Sequence, residues 1–184
     1  MALKSGLVPL GTPASAFDLP DTSGQRHQLS DYDDQVLVVA FVCNHCPYVR
    51  HIESALGRLA SNSTARFLAV CSNDAENYPD DAAPGLIEQA NRAGWKFPYL
   101  IDAEQDVARS YGAVCTPDFF VYGPDRKLAY RGAFDSATPR NCEPVNGSLL
   151  LGAIEPVARG QTVPEPHRPS MGCGIKWLPG NEPT

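Results

Sequence analysis

The sequence predicts an α/β fold: a central mixed sheet flanked by helices, with an N-terminal β-hairpin and an extended C-terminal tail. Three observations carry this. VLVVAFV at 36–42 is apolar at every position and rich in β-branched residues, the pattern of a strand covered on both faces. Val49, Ile52, Leu56 and Leu59 follow it at helical spacing. FLAVC at 67–71 and a helix near 84–93 then repeat the alternation, which implies parallel β-α-β units.

Residues 16–30 read as two short strands around a Thr22-Ser23-Gly24 turn, with Phe17 and Leu19 on one side. The buried strand ends at Cys43, and the helix after Cys46 and Pro47 has Arg50, Glu53 and Arg58 available for its outer face. A polar loop, SNDAENYPDDAAPG, separates FLAVC from the second helix. FPYLI at 97–101 is a further strand, after which Asp102, three residues before Gln105, starts a capping box for a helix ending at Gly112. Thr116-Pro117-Asp118 interrupts the chain before FFVY, and Gly123-Pro124-Asp125 turns it into KLAYRG, giving an antiparallel hairpin. Residues 147–159 form a last helix that Pro156 should kink or shorten. The proline-rich sequence from Gly160 has no periodicity and is expected to run over the surface. With no internal repeat or dividing linker, 1–184 reads as one domain, its core at about 8–160 and 161–184 a surface tail.

Composition narrows the function. The 184 residues carry a formal charge of -6 with no Lys/Arg cluster, which argues against nucleic acid as a partner. The longest apolar run, Val36 to Val42, is too short to span a bilayer, and MALKSGLVPLGTP lacks the charged-then-apolar pattern of a secretion signal, so a cytoplasmic protein is expected. Six cysteines in that compartment read as redox, metal or core residues rather than as a disulfide framework.

The chemistry lies in Phe41-Val42-Cys43-Asn44-His45-Cys46-Pro47, where a buried strand turns into an amphipathic helix. Cys43 is expected at the helix start, where unpaired N–H groups and the positive end of the helix dipole favour a thiolate. Cys46 then lies one turn further in, which makes Cys43 the attacking thiol and Cys46 the resolving one. A protonated His45 inside the motif would stabilise the Cys43 thiolate further. Thr116-Pro117 marks the entry to the FFVY strand, because a proline would remove a ladder hydrogen bond from a central strand. Cys71 ends an apolar strand and reads as a core residue; Cys142 receives no role. Cys115 is either a third redox thiol or a packed neighbour.

Strand–CxxC–helix, a β-α stretch, then Thr-Pro before a β-hairpin and a final helix: this order resembles the thioredoxin superfamily. The N-terminal hairpin and longer middle resemble its alkyl hydroperoxide reductase/thiol-specific antioxidant (AhpC/TSA) branch over roughly residues 8–160. CNHCP, CTPDFF and the tail's SMGCGIKW resemble a peroxiredoxin-like subgroup. The resemblance implies a thioredoxin-like fold in which Pro117 is cis and lies against the Cys43–Cys46 pair, while the Thr116 backbone is free to pair with a bound peptide. Two positions depart from it. Peroxiredoxins place a Thr three residues and a Pro seven residues before the peroxidatic Cys, where this chain has Ala40 and Val36. Thioredoxin keeps a buried acid on the strand before its CxxC, and VLVVAFV has none, so a proton must leave through His45, water or a loop carboxylate.

The leading functional reading is a thiol/disulfide oxidoreductase acting on protein dithiols or disulfides, or on small thiols, without a cofactor. A thiol peroxidase of antioxidant type, with Cys43 oxidised by peroxide, is the alternative. A metal-binding protein using Cys43, Cys46 and one or more of Cys115, Cys173 and His45 ranks third, since a cis proline packed on the pair would obstruct a metal. Ser170 to Trp177 is expected to fold back onto the domain: Met171, Ile175 and Trp177 gain by finding a protein surface, and Gly172 and Gly174 allow close backbone approach. This would bring Cys173 near the pair as a relay thiol.

Overall fold

The computed structural model describes residues 2–6 and 8–183. Along the chain, β1 (Ala2–Lys4) precedes a hairpin of β2 (Asp18–Pro20) and β3 (Arg26–Gln28). Next come β4 (Leu37–Phe41), α1 (Pro47–Ser61), β5 (Arg66–Cys71), α2 (Ala83–Ala93), β6 (Tyr99–Ile101) and α3 (Asp106–Tyr111). The last third holds β7 (Cys115–Thr116), β8 (Asp118–Tyr122), β9 (Leu128–Gly132), α4 (Ser148–Ala158) and β10 (Met171–Gly174).

Every residue of β4 is buried, so it can exist only where neighbours cover both faces and both edges. It sits at the centre of a five-stranded mixed sheet of order β6-β5-β4-β8-β9, parallel to β5 and antiparallel to β8. The period of two along the strand sorts its side chains between two cores. Val38, Ala40 and Val42 pack with Val49, Ile52 and Leu56 of α1 and with Leu150 and Ile154 of α4. Leu37, Val39 and Phe41 pack on the opposite face with Val107 and Tyr111 of α3, with Phe120, and with Ile175 from the tail. Each such buried aliphatic or aromatic side chain contributes about 1.5–3 kcal/mol. Among these residues lies Gly57, where an added Cβ would stand 2.4 Å from the Ala93 carbonyl oxygen; only glycine lets α1 approach the end of α2.

The structure corrects three local expectations. Glu53 is buried rather than on the solvent face of α1, because it pairs with Arg92 of α2 and accepts from Gln89. Asp102 is not the residue that opens α3. That place belongs to Gln105, whose side chain is drawn away to the carbonyls of Ser72 and Lys176 (both 2.8 Å). Asp102 still serves the helix from the preceding turn, accepting the N–H groups of Val107 and Ala108. The chain after Gly160 does run across the surface, but at Met171 it enters a sheet of order β1-β10-β7, with Ser170 and Ile175 buried on either side of the strand. β1 falls outside the segment expected to form the core, and its antiparallel pairing with one edge of β10 ties it to the sheet. Pro156 stands inside α4, which ends two residues beyond it. No helix among the described residues is long and apolar enough to cross a membrane.

Candidate active site

β4 delivers Cys43 to the mouth of the sheet, and four residues turn the chain into α1. One carboxylate anchors that turn. Asp81, from the 3-10 turn Pro79–Asp81, accepts the backbone N–H groups of Asn44 (2.7 Å) and His45 (3.1 Å) through one oxygen. Its other oxygen accepts from Asn73 (2.8 Å) and from the His45 ring. The Asn44 side chain donates to the carbonyls of Asp80 and Gly85, while Arg50 and Arg92 donate to its oxygens and Gln89 to the Cys43 carbonyl. A loop with this many satisfied polar groups is a rigid mount. Sequence reasoning missed Asp81; the only signal was an acidic pair in the polar loop after FLAVC, the kind of loop carboxylate left open as a proton route.

The opposite wall is the Thr116–Pro117 segment, whose peptide bond is cis, as the resemblance implied. The Thr116 hydroxyl lies 3.3 Å from the Cys43 sulfur, and the thiol form of Cys46 donates to the Thr116 carbonyl at 3.2 Å. Both cysteines are fully enclosed at 0% exposure. The third wall is the tail: β10 pairs with β7, setting Cys173 opposite Thr116. Cys173 thus packs against the cluster that holds Cys43 and Cys46.

The helix start falls one step later than the sequence implied. Pro47 is the first residue of α1 and Cys46 is its cap, so the free N–H groups of the first turn favour a thiolate on Cys46, not on Cys43. The surroundings agree: the neighbouring Cys43 thiol, acting as donor, and then, against the penalty of burial, Cys173 hold Cys46 well below the ordinary thiol range. Cys43 is pushed up, first by Cys46, toward which its thiol is the donor, then by burial and by the Asp81 carboxylate.

His45 stays on the motif loop, but its ring is bonded to Asp81 and stacked on Tyr78 at 5.3 Å between centroids. Asp81 is pushed up by burial, but the bond from His45 and those from Asn73 and the loop amides outweigh this and hold it below the usual carboxylate range. Cys43, His45 and Asp81 present ligand-type atoms within 4.8 Å of one another, the one such group among the described residues. Two of the three are already committed to each other, which leaves a metal little to replace without dismantling the loop. Cys115 sits in β7 beside Gly174, and burial pushes it and Cys71 upward, so both stay thiols. Cys142 is exposed.

The buried acid absent from β4 is present on the adjoining strand, where Asp118 stands in register with Phe41. Burial raises it to about 6 against the pull of Arg131 at 3.5 Å. Nothing in DFFVY marked it beforehand, since an aspartate next to a proline usually reads as a turn residue.

Comparison with known proteins agrees with this architecture. The AhpC/TSA family profile matches residues 10–131. An uncharacterized conserved protein from Geobacillus kaustophilus is 41% identical over 98% of both chains, with a TM-score of 0.94. A hypothetical protein from Sinorhizobium meliloti 1021 is also 41% identical, over 96% of this chain and 99% of its own, again at 0.94. A secreted Mycobacterium tuberculosis disulfide oxidoreductase homologous to E. coli DsbE shares the fold, with a TM-score of 0.62 and 16% identity over 76% of this chain and 94% of its own. None of the curated proteins compared with it matches.

Proposed function

The chain belongs to the AhpC/TSA family and has a thioredoxin-like fold, and on that premise we propose that it is a thiol/disulfide oxidoreductase whose redox couple is Cys43–Cys46. The observation that carries the reading is the close pairing of Cys43 and Cys46 at the cap of α1, both against Thr116, whose hydroxyl lies 3.3 Å from the Cys43 sulfur and whose carbonyl accepts from Cys46 at 3.2 Å. The Cys46 thiolate is the nucleophile. It attacks a disulfide, the substrate sulfur leaves with its electron pair, and Cys43 then gives up its proton and attacks Cys46 to release the second substrate thiol. Substrate loses one disulfide, the protein gains one, and the direction depends on the relative reduction potentials. This assigns to Cys46 the attack that the sequence had led us to expect of Cys43.

Equilibration with glutathione buffers of graded composition, quenched with acid and mapped by mass spectrometry, tests the couple. A Cys43–Cys46 disulfide should form in a single transition. With Cys43 and Cys173 both replaced by Ser a mixed disulfide should accumulate on Cys46, whereas Cys46→Ser should leave turnover of a model disulfide near the uncatalysed rate. A wild-type pair that stays reduced across the whole range, or full turnover by Cys46→Ser, defeats the reading.

A peroxidase reading has one observation in its favour. The hydroxyl missing at Ala40 is supplied from across the site by Thr116, 3.3 Å from Cys43. Stopped-flow oxidation by hydrogen peroxide separates the two: a peroxidase reacts orders of magnitude faster than a free thiol, and the exchange enzyme proposed here does not.

A further inference from the structure

Cys43 and Cys46 are both sealed from solvent, while Cys173 is partly exposed. The layer between the pair and solvent is β10, and it is fastened along both edges. On one edge Ala2, Leu3 and Lys4 pair with Cys173, Gly172 and Met171; on the other, Thr116 and Cys115 pair with Cys173 and Gly174. Beyond the strand, Ser170 is bonded to Ser5 and to the Gly132 carbonyl, Ile175 to Val114, and Lys176 to Asn73, Asp74 and Gln105. Gly172 makes the seat possible, since a Cβ there would lie 1.8 Å from the Thr116 carbonyl oxygen. Cys173 is therefore held beside Cys46 by the fold itself, since both meet Thr116, and the Thr116 edge where an extended partner would add a strand is already filled.

Building on the thiol/disulfide reading above, we propose that Cys173 is the third redox thiol of the site and the port through which the enclosed pair exchanges with outside dithiols. In the oxidised protein Cys173 attacks the Cys46 sulfur. A Cys46–Cys173 bond forms, the Cys43–Cys46 bond breaks, and Cys43 leaves with the electron pair and takes up the proton that Cys173 released. An external dithiol then attacks Cys173 at its exposed side and carries the disulfide away, leaving Cys46 and Cys173 as thiols, a two-electron reduction of the protein.

The local charges make this step conditional on oxidation. In the reduced protein Cys173 is held up to about 11 by burial, by its bond to Cys46 and by the Cys46 charge, while Lys176 pulls the other way. Once Cys46 is bound to Cys43 its charge is gone; burial still raises Cys173, but Lys176 now opposes that burial alone, so the Cys173 thiolate is reached more readily than in the reduced protein. Cys173 thus becomes a nucleophile when there is a disulfide for it to accept.

The experiment follows re-reduction of the fully oxidised chain by dithiothreitol and by a protein dithiol such as reduced thioredoxin, in wild type, Cys173→Ser and Cys173→Ala. Oxidised Cys43→Ser is mapped in parallel for its linkage. The expected result is a slowing of at least about tenfold in both Cys173 variants, the effect of losing a positioned thiol, with the Cys43–Cys46 disulfide still found by mapping of the oxidised variants. Oxidised Cys43→Ser should contain a Cys46–Cys173 disulfide. Re-reduction of the Cys173 variants at the wild-type rate overturns the proposal, as does absence of the Cys46–Cys173 link, while leaving the Cys43–Cys46 couple standing. Failure of the wild type to form a Cys43–Cys46 disulfide at all would instead remove the couple on which the proposal rests.

Discussion

Two buried aspartates show how much of this site depends on single residues that carry no motif. Asp81 accepts four hydrogen bonds while fully enclosed, so Asp81→Asn leaves amides and the His45 ring with weaker partners. A loss of about 1.5–3 kcal/mol is expected for each charged bond weakened, read by denaturant unfolding. The same change removes the negative charge that helps push Cys43 up, so the second thiol should titrate lower when followed by ultraviolet thiolate absorbance. A Cys43 titration unmoved by Asp81→Asn would show that the carboxylate acts only on the loop. Asp118 has the opposite sign. Its folded-state pKa is raised from 3.8 to about 6 by burial, so the stabilisation it gives is complete below the unfolded value and is lost as pH rises through 6. Asp118→Asn cannot ionise. Although it leaves Arg131 without a charged partner, its stability relative to wild type should improve as pH is raised from 4 to 7, and a constant difference across that window would contradict the assignment.

At the level of elements, the sequence shows most clearly what is periodic. VLVVAFV, the Val49-Ile52-Leu56 stripe and the FFVY–KLAYRG hairpin all lie where their patterns put them, because each buries a face that the pattern itself defines. The start of α1 was less legible: Pro47 occupies the first helical position and moves the cap to Cys46, which exchanges the electrostatic roles of two cysteines three residues apart. β1 and β10 could not be read at all as strands. MGCG has no alternation and little β propensity, and its pairing depends on Thr116 and Leu3, distant in sequence and brought close only by the finished sheet. Gly172 is where this element can be tested. Gly172→Ala should force β10 off Thr116 at a cost of about 1–3 kcal/mol, which corresponds to roughly a tenfold to hundredfold rise in the open population. Alkylation of Cys46 by iodoacetamide in the reduced protein should accelerate accordingly. An unchanged rate would mean that β10 does not control access.

For the molecule as a whole, the redox state and the pH dependence of folding are one property measured two ways. In the reduced protein Cys46 has a depressed pKa, so its contribution to stability is complete above the ordinary thiol value of about 8.5 in the unfolded chain and declines as pH falls through the folded value. In the oxidised protein the same sulfur carries no proton and no charge, so this dependence vanishes. Cys43, Cys115 and Cys71 are all raised, so none replaces it in the neutral range. The Asp118 contribution runs the other way, but it is common to both redox forms and cancels when they are compared. Thermal unfolding of the reduced and oxidised chains from pH 5 to pH 9 should therefore show the reduced form gaining stability relative to the oxidised form as pH rises. Cys46→Ser in reducing buffer should lack that gain, while Cys43→Ser should keep part of it, because Cys46 remains and the serine hydroxyl can still donate to it, although the Cys43 thiol is the largest single cause of its lowered value. Had the helix begun at Cys43, as the spacing of the motif alone would have it, the two variants would behave the other way round; the comparison thus decides which sulfur holds the charge without any assay of turnover.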